Sequence, residues 1–216
     1  MAERKRAVIF ANGNIPGPEK LRAFLRPGDW LVAADGGLRH LKILGLKPTL
    51  LIGDLDSVSP EDAARLQAEG VRVDRFPVEK DETDLELALK TVVSEGFRTV
   101  LVAGALGGRM DQSLGNIFLL LDPAYRDCDV RLEDGVEEAF AIRETAEIQG
   151  AAGDTVSLLP FAGPAVGIRT EGLRYPLNNE TLFLEHTRGI SNVMQAGAAR
   201  VSLESGLLLC IHTRLE

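Results

Sequence analysis

Through the first half of the chain, short apolar runs that end in Gly or Asp alternate with stretches of helical spacing. Few folds accept that alternation. Each run is too short to be a buried helix, and its glycine-rich end gives the sharp turn that leads from a strand into a helix. The pattern predicts a mostly parallel sheet built from repeated βα units, with helices on its faces. Strands are expected at Ala7–Ala11, Trp30–Ala34, Leu50–Ile52, Arg72–Phe76 and Thr99–Ala103. Helices are expected at Pro18–Leu25, Leu38–Leu44, Pro60–Glu69, Asp84–Glu95 and Gln112–Leu121. Ser59-Pro60-Glu61-Asp62 reads as an N-cap followed by a first-turn proline and two acids, and Gly45, Gly70 and Gly96 stand where a left-handed C-terminal cap belongs.

The texture changes at Asp122-Pro123-Ala124-Tyr125-Arg126-Asp127. Beyond it come short segments separated by Gly, Pro and Asn: Val130–Leu132, Glu138–Arg143, Thr155–Pro160, Val166–Thr170, Leu182–Glu185, Ala199–Leu203 and Leu207–His212. Such segments predict an all-β sandwich. The expected architecture is therefore α/β plus all-β: a Rossmann-like domain over residues 1–124 and a β-sandwich over residues 125–216. Trp30, at a strand start, is expected in the core.

Composition narrows the function. A net charge of −8 over 216 residues argues against broad affinity for nucleic acid or anionic membranes, so an anionic ligand must be held locally. The basic start Met1–Arg6 precedes an apolar run too short for a signal peptide, and Ile117–Leu121 is too short to span a bilayer, so a cytoplasmic protein is expected. Cys128 and Cys210 lie far apart without metal-ligand spacing and read as free thiols. His40, His186 and His212 are equally scattered, which speaks against a zinc site or a Ser-His-Asp triad.

Four acidic clusters lie just beyond expected strand ends: Asp35-Gly36-Gly37, Gly53-Asp54-Leu55-Asp56-Ser57, Asp81-Glu82-Thr83-Asp84 and Gly107-Gly108-Arg109-Met110-Asp111-Gln112. Any one of them alone is an ordinary helix cap or solvated turn. In an open α/β sheet, however, ligands bind at the carboxyl edge, so four such loops would converge on one crevice. If strand geometry persists past Ile52, the Asp54 and Asp56 carboxylates share a face with Cα atoms about 6.6 Å apart. Further carboxylates such as Asp84 and Asp111 need a cation beside them, and hard oxygen ligands select Mg²⁺ or Mn²⁺. The structural alternative is that these acids cap helices and pair with Arg109, Arg39 or Lys80. Asn12-Gly13-Asn14, Gly36-Gly37, Gly104 and Gly107-Gly108 would let backbone N–H groups approach a phosphate, and Arg109 suits a guanidinium fork on one. Neither a Walker loop nor G-x-G-x-x-G is present.

Taken in order, these four clusters, the third extended by Lys80, resemble the motif set of the thiamine pyrophosphokinase family. Gly172-Leu173-Arg174-Tyr175-Pro176-Leu177 and Gly189-Ile190-Ser191-Asn192 are similar to its β-domain segments. The resemblance implies transfer of diphosphate from ATP to the hydroxyl of thiamine, with release of AMP and a requirement for Mg²⁺. It implies Asp54, Asp56 and Asp84 as metal ligands, with Asp111 joining them in the catalytic set. Asp35, Gly36, Lys80, Thr83, Arg109 and Gln112 would meet the nucleotide, Asp35 joining the acidic pocket as well, and Tyr175, Ser191 and Asn192 would meet the thiamine. Tyr175 stands where family members can carry Trp. A homodimer through the β-domain is implied too, in which the last three residues serve the neighbouring subunit.

Three other readings remain at this point. Asp54-Leu55-Asp56-Ser57-Val58 fits the D-x-D-x-[TV] pattern of aspartyl-phosphate phosphohydrolases, although it follows the third expected strand rather than the first. A pyrophosphokinase acting on a pterin alcohol would share the first domain. A non-catalytic nucleotide sensor would keep the glycines.

Overall fold

The computed structural model describes residues 6–215; the rest of the basic start, residues 1–5, and Glu216 lie outside the described residues. The chain divides into two compact units, Met1–Gly135 and Val136–Glu216. In the first, strands β1 (Arg6–Phe10), β2 (Trp30–Ala34), β3 (Leu50–Gly53), β4 (Arg72–Arg75), β5 (Thr99–Ala103) and β6 (Asp129–Glu133) alternate with helices α1 (Pro18–Arg22), α2 (Leu38–Ile43), α3 (Pro60–Ala68), α4 (Asp84–Ser94) and α5 (Met110–Phe118). The strands run in the order β4-β3-β2-β1-β5-β6, every neighbouring pair parallel. The chain steps outward from β1 to β4 and then returns to β5 beside β1. That reversal opens a crevice at the carboxyl ends of β1 and β5.

Local chemistry explains the element ends. Ser59 caps α3 by accepting the Asp62 N–H at 3.1 Å, with Pro60 behind it, and Gly45, Gly70 and Gly96 have the positive φ expected of them. The first helix is shorter than expected, because Ala23, Phe24 and Leu25 bond three residues back and tighten the turn before Pro27-Gly28. The fifth begins earlier and gives way to a 3-10 turn at Leu119–Leu121. Its apolar spacing faces outward, with Met110, Leu114 and Phe118 all exposed. Trp30 is half-buried and stacked on Phe97 with ring centroids 5.0 Å apart. The first core packs Phe10, Leu21, Leu41 and Leu51 between sheet and helices.

β6 was expected in the second domain, yet it pairs parallel with β5, and the compact unit ends only after it. Its apolar pattern does not say which neighbour it will find.

The second unit contains β7 (Glu137–Ile142), β8 (Thr145–Gln149), β9 (Thr155–Pro160), β10 (Ala165–Glu171), β11 (Asn178–Leu182), β12 (Asn192–Val193), β13 (Ala198–Ser202) and β14 (Leu208–Thr213). They form two antiparallel layers, β12-β9-β14-β7 and β11-β10-β13-β8. Phe140, Leu158 and Leu208 from one layer meet Ile148, Ile168 and Val201 from the other. This is the expected β-sandwich. The strand expected at Leu182–Glu185 instead occupies Asn178–Leu182, leaving Phe183 and Leu184 exposed. An edge strand pairs on one side only, so it needs less apolar content. β8, on the opposite edge, escaped notice for the same reason. No helix among the described residues is long and apolar enough to cross a membrane.

Candidate active site

Asp35, Asp54 and Asp84 meet at the carboxyl edge of the first sheet, delivered by the ends of β2 and β3 and the first turn of α4. One carboxylate oxygen from each lies within 4.8 Å of the others, and among the described residues no other group of His, Cys, Asp or Glu is so placed for a metal. Gly53 makes the approach possible. A Cβ there would stand 3.0 Å from the Asp84 carboxylate carbon and 3.1 Å from the Asp35 Cβ.

The backbone is strained at this point. Asp35 has φ 42° and Leu55 φ 64°, in the left-handed region that costs a non-glycine residue about 1–2 kcal/mol. Such outliers persist where surrounding packing holds them, and both flank the carboxylates. Leu55 also corrects the expected pairing of Asp54 with Asp56. The strand ends at Gly53 and the turn at Leu55 breaks its alternation, so the two carboxylates do not share a face by strand geometry. Asp56 is exposed, its carboxylate accepting the Ser57 hydroxyl at 2.9 Å, and buried Asp35 joins Asp54 and Asp84 instead.

Lys80 supplies positive charge to the cluster. Its Nζ lies 3.3 Å from Asp54 and 3.1 Å from Asp84. The contact with Asp84 is an ion pair rather than an aligned hydrogen bond, which leaves the buried Asp84 Oδ1 without a hydrogen-bond donor. The Asp56 N–H holds the Asp54 carboxyl below its ordinary range despite partial burial, and Lys80 adds to the effect. Burial pushes Asp84 up, Lys80 opposes that, and the like charges of Asp54 and Asp35 reinforce it. Lys80 is raised: burial pulls it down, but Asp84 and Asp54 outweigh burial. A carboxylate kept costly by burial and like charge, with one oxygen close to two other carboxylates and met by the Lys80 ammonium, fits a hard divalent cation.

Beside the cluster is a cavity of about 440 Å³, lined by Asn12 and Gly13 after β1, Asp35 after β2, Gly104 and Gly107 after β5, and Thr83, Asp84, Asp111 and Gln112. Thr83 also caps α4, accepting the Glu86 N–H at 3.2 Å. Gly36 packs against the Asn12 side chain behind the wall. Arg109 and Asp111 are both exposed and paired through two hydrogen bonds, 3.1 and 2.5 Å, which raises the guanidinium and lowers the carboxyl. This is the salt-bridged alternative weighed for Arg109, and Arg109 does not line the cavity. Arg39, weighed from the sequence as a partner for the acids, instead bonds to backbone carbonyls, and His40 beside it was not foreseen here. Arg39 donates to the carbonyls of Asn12 and Gly13 at 2.7 and 3.0 Å, and His40 Nε2 lies 2.8 Å from the Gly13 carbonyl. Burial lowers the His40 pKa, the bond to the Gly13 carbonyl opposing it and the neighbouring Arg39 adding to it. Their position in the turn of helix after Asp35-Gly36-Gly37 was the available signal.

In the second unit a separate cavity of about 390 Å³ is lined by Tyr175, Leu177, Thr187, Arg188, Gly189, Ile190 and Asn192. Tyr175 is 57% exposed, with the Arg174 guanidinium 5.6 Å from its ring centre. Ser191 has φ 59° and donates its N–H to Ser157 Oγ at 3.0 Å, outside the lining.

Comparison with known proteins accounts for both units. The family profile described as thiamin pyrophosphokinase, catalytic domain, matches residues 21–132, and that described as thiamin pyrophosphokinase, vitamin B1 binding domain, matches residues 142–208. The thiamine pyrophosphokinase of Bacillus subtilis is 29% identical over 184 residues, 84% of this chain and 86% of the relative. A crystal structure of thiamine pyrophosphokinase from Bacillus subtilis superposes with TM-score 0.87 at 27% identity, covering 98% of this chain and 100% of that one. A crystal structure of the protein from Geobacillus thermodenitrificans gives TM-score 0.79 at 28% identity, covering 96% and 97%. At 18% identity, the Candida albicans structure shares the fold with TM-score 0.81 over 98% of this chain and 90% of that one. A catalytic-domain match over more than half the sequence, followed by the second domain in its proper order, shows that this chain belongs to the thiamin pyrophosphokinase family.

Proposed function

We propose that this chain is an ATP-dependent thiamine diphosphokinase. The thiamine hydroxyl oxygen bonds to the β-phosphorus of ATP as the bond from that phosphorus to the α,β-bridging oxygen breaks. The β- and γ-phosphoryl groups move together, AMP leaves with the bridging oxygen, and the hydroxyl proton is released. The observation that carries this reading is the three-aspartate cluster around Lys80, set at the reversal of a parallel sheet. Neither the pterin alcohol nor the aspartyl-phosphate reading is favoured by relatives that are thiamine pyrophosphokinases.

Asp35, Asp54 and Asp84 would hold Mg²⁺, and exposed Asp56, next to that cluster in the chain, would reach an ion bound there from the solvent side. Mg²⁺ bound there would neutralise charge on the polyphosphate during transfer. The chain's own groups position the reactants. The loops carrying Gly13, Gly104 and Gly107 admit the nucleotide phosphates; Gly36, Thr83 and Gln112 shape that site, and Lys80, Arg109 and Asp111 tune its charge. The cavity of the second unit takes thiamine, Tyr175 offering a ring face to the cationic thiazolium and Asn192 completing the wall, while Ser191 shapes the turn behind it. A homodimer through the second unit and a cytoplasmic location belong to the same reading; sedimentation and cell fractionation test them.

The decisive experiment incubates the chain with ATP, Mg²⁺ and either thiamine or a pterin alcohol and separates the products. Thiamine diphosphate and AMP are expected only with thiamine, and turnover of the pterin alone would overturn the assignment. Asp54→Asn and Asp56→Asn should each cut turnover at least about a hundredfold, the size expected when preorganised charge stabilisation is lost, with circular dichroism unchanged. Near-normal Mg²⁺-dependent turnover in both would remove the metal assignment.

A further inference from the structure

Asn192 lines the cavity of the second unit, yet the residue is only 7% exposed and its side chain is occupied by backbone partners. Its Oδ1 accepts the N–H groups of Tyr175 at 3.0 Å and Val193 at 2.9 Å, while its Nδ2 donates to the Tyr175 carbonyl at 2.7 Å. A primary amide offers two acceptor sites and two N–H donors, so three of the four are taken. The amide's orientation is fixed as well, because two donors face one end and a carbonyl faces the other.

The reciprocal bonds to residue 175 imitate an antiparallel strand pair, with a side chain in place of one strand. They extend real pairing: Arg174 N–H bonds to the Val193 carbonyl at 2.9 Å, and Leu173 forms a bridge with Met194. Pro176 further restricts residue 175 to extended backbone. Positive φ at Gly189 (102°) and Ser191 (59°) supplies the turn that brings Asn192 to this place. A Cβ on Gly189 would stand 2.5 Å from the Leu158 carbonyl oxygen, so the turn cannot relax there. Tyr175, by contrast, is largely exposed where it lines the cavity, with the Arg174 guanidinium over its ring. What aims it is its backbone, and what fixes its backbone is Asn192.

We propose that Asn192 is a positioning residue, acting on an aromatic, cationic substrate through Tyr175 rather than by touching it. The proposal rests on the reading that this cavity takes thiamine. It is tested in the full chain with Tyr175→Ala, Asn192→Asp, Asn192→Ala and the doubles, following KM for thiamine and for ATP separately. Asn192→Asp is the variant least disruptive to the fold, since it keeps the acceptor but sets a carboxylate oxygen against the Tyr175 carbonyl. Each single variant is expected to raise KM for thiamine about 2- to 30-fold, the range of one aromatic–cation contact, with KM for ATP unchanged. On the Tyr175→Ala background, either Asn192 variant is expected to add less than about twofold, the coupling of residues that act as one unit. Multiplying effects would show that Asn192 contacts substrate directly and would overturn the proposal while leaving the thiamine cavity in place. Equal rises in both KM values would reduce Asn192 to a structural role. Unchanged thiamine KM in Tyr175→Ala would remove the reading of the cavity itself.

Discussion

Lys80 stands between Asp54 and Asp84 where like charges would otherwise face one another, and it makes the cluster tolerable to the fold. A divalent cation would do the same more strongly. Lys80→Met should therefore lower Tm in a chelating buffer and gain more from added MgCl₂ than the parent chain does. Equal gains would mean that Lys80 does not offset this repulsion. In the second unit His212 is buried between Glu138 and Asp154, at 3.1 and 2.9 Å. Burial would lower its pKa, but the two carboxylates outweigh burial and raise it from 6.5. Asp154 is lowered from 3.8, the backbone N–H groups of Leu215 and Ala151 and the His212 ring overcoming the opposite pull of burial. Stability from His212 is complete below about pH 6.5, its unfolded value, and is lost as pH rises through the higher folded value. Stability from Asp154 is present above about pH 3.9 and is lost as pH falls through its depressed folded value. Tm should therefore decline on the alkaline side of pH 6.5, and His212→Gln should flatten that decline while costing about 3–5 kcal/mol, as breaking a buried pair does. An unaltered pH profile in the variant would contradict this.

Among the glycines of the described residues, Gly37, in the turn from β2 into α2, leaves the least room for a Cβ. A Cβ on Gly37 would run into the Phe10 carbonyl, backbone of the central strand β1 that cannot yield as a side chain would. Gly37→Ala is expected to cost about 1–3 kcal/mol, with Tm falling about 2–4 °C per kcal/mol for a chain of this size. A Tm within one degree of the parent would show the turn to be adjustable. One turn further on, Arg39 and His40 hold the Asn12-Gly13 loop from behind by its carbonyls. Arg39→Ala should raise KM for ATP and leave KM for thiamine alone, since that loop lines only the first unit's cavity.

At the scale of the molecule, the boundary after Gly135 matters because β6 completes the parallel sheet. A fragment ending at Ala124 exposes the edge of β5, whereas one ending at Gly135 keeps it paired. The longer fragment is expected to fold and bind ATP without forming thiamine diphosphate, and the shorter to be markedly less stable in urea. Comparable midpoints would make β6 dispensable, and full transfer activity in either fragment would remove the second unit from the reaction. The proposed homodimer is open to subunit mixing. Asp54→Asn chains mixed with Tyr175→Ala chains should recover activity if thiamine is held by the partner chain, and recovery should be absent if each chain serves itself.

The sequence by itself determined the parallel sheet, its helices, the β-sandwich and the four acidic loops, because strand runs, caps and glycine turns are written in neighbouring residues. Ser59, Gly45 and Gly96 show how local those signals are. Only the tertiary structure decided which carboxylates meet. Asp54 and Asp56 looked paired because period-two geometry was carried past the strand end, while Asp35, nineteen positions before Asp54, arrives through sheet order and the missing Cβ of Gly53. Edge strands β8 and β11 and the placement of β6 were equally illegible, since partner choice depends on residues distant in sequence. The physical reason is the same in each case: propensity and patterning act over a turn or a strand, whereas convergence is set by packing of the whole chain.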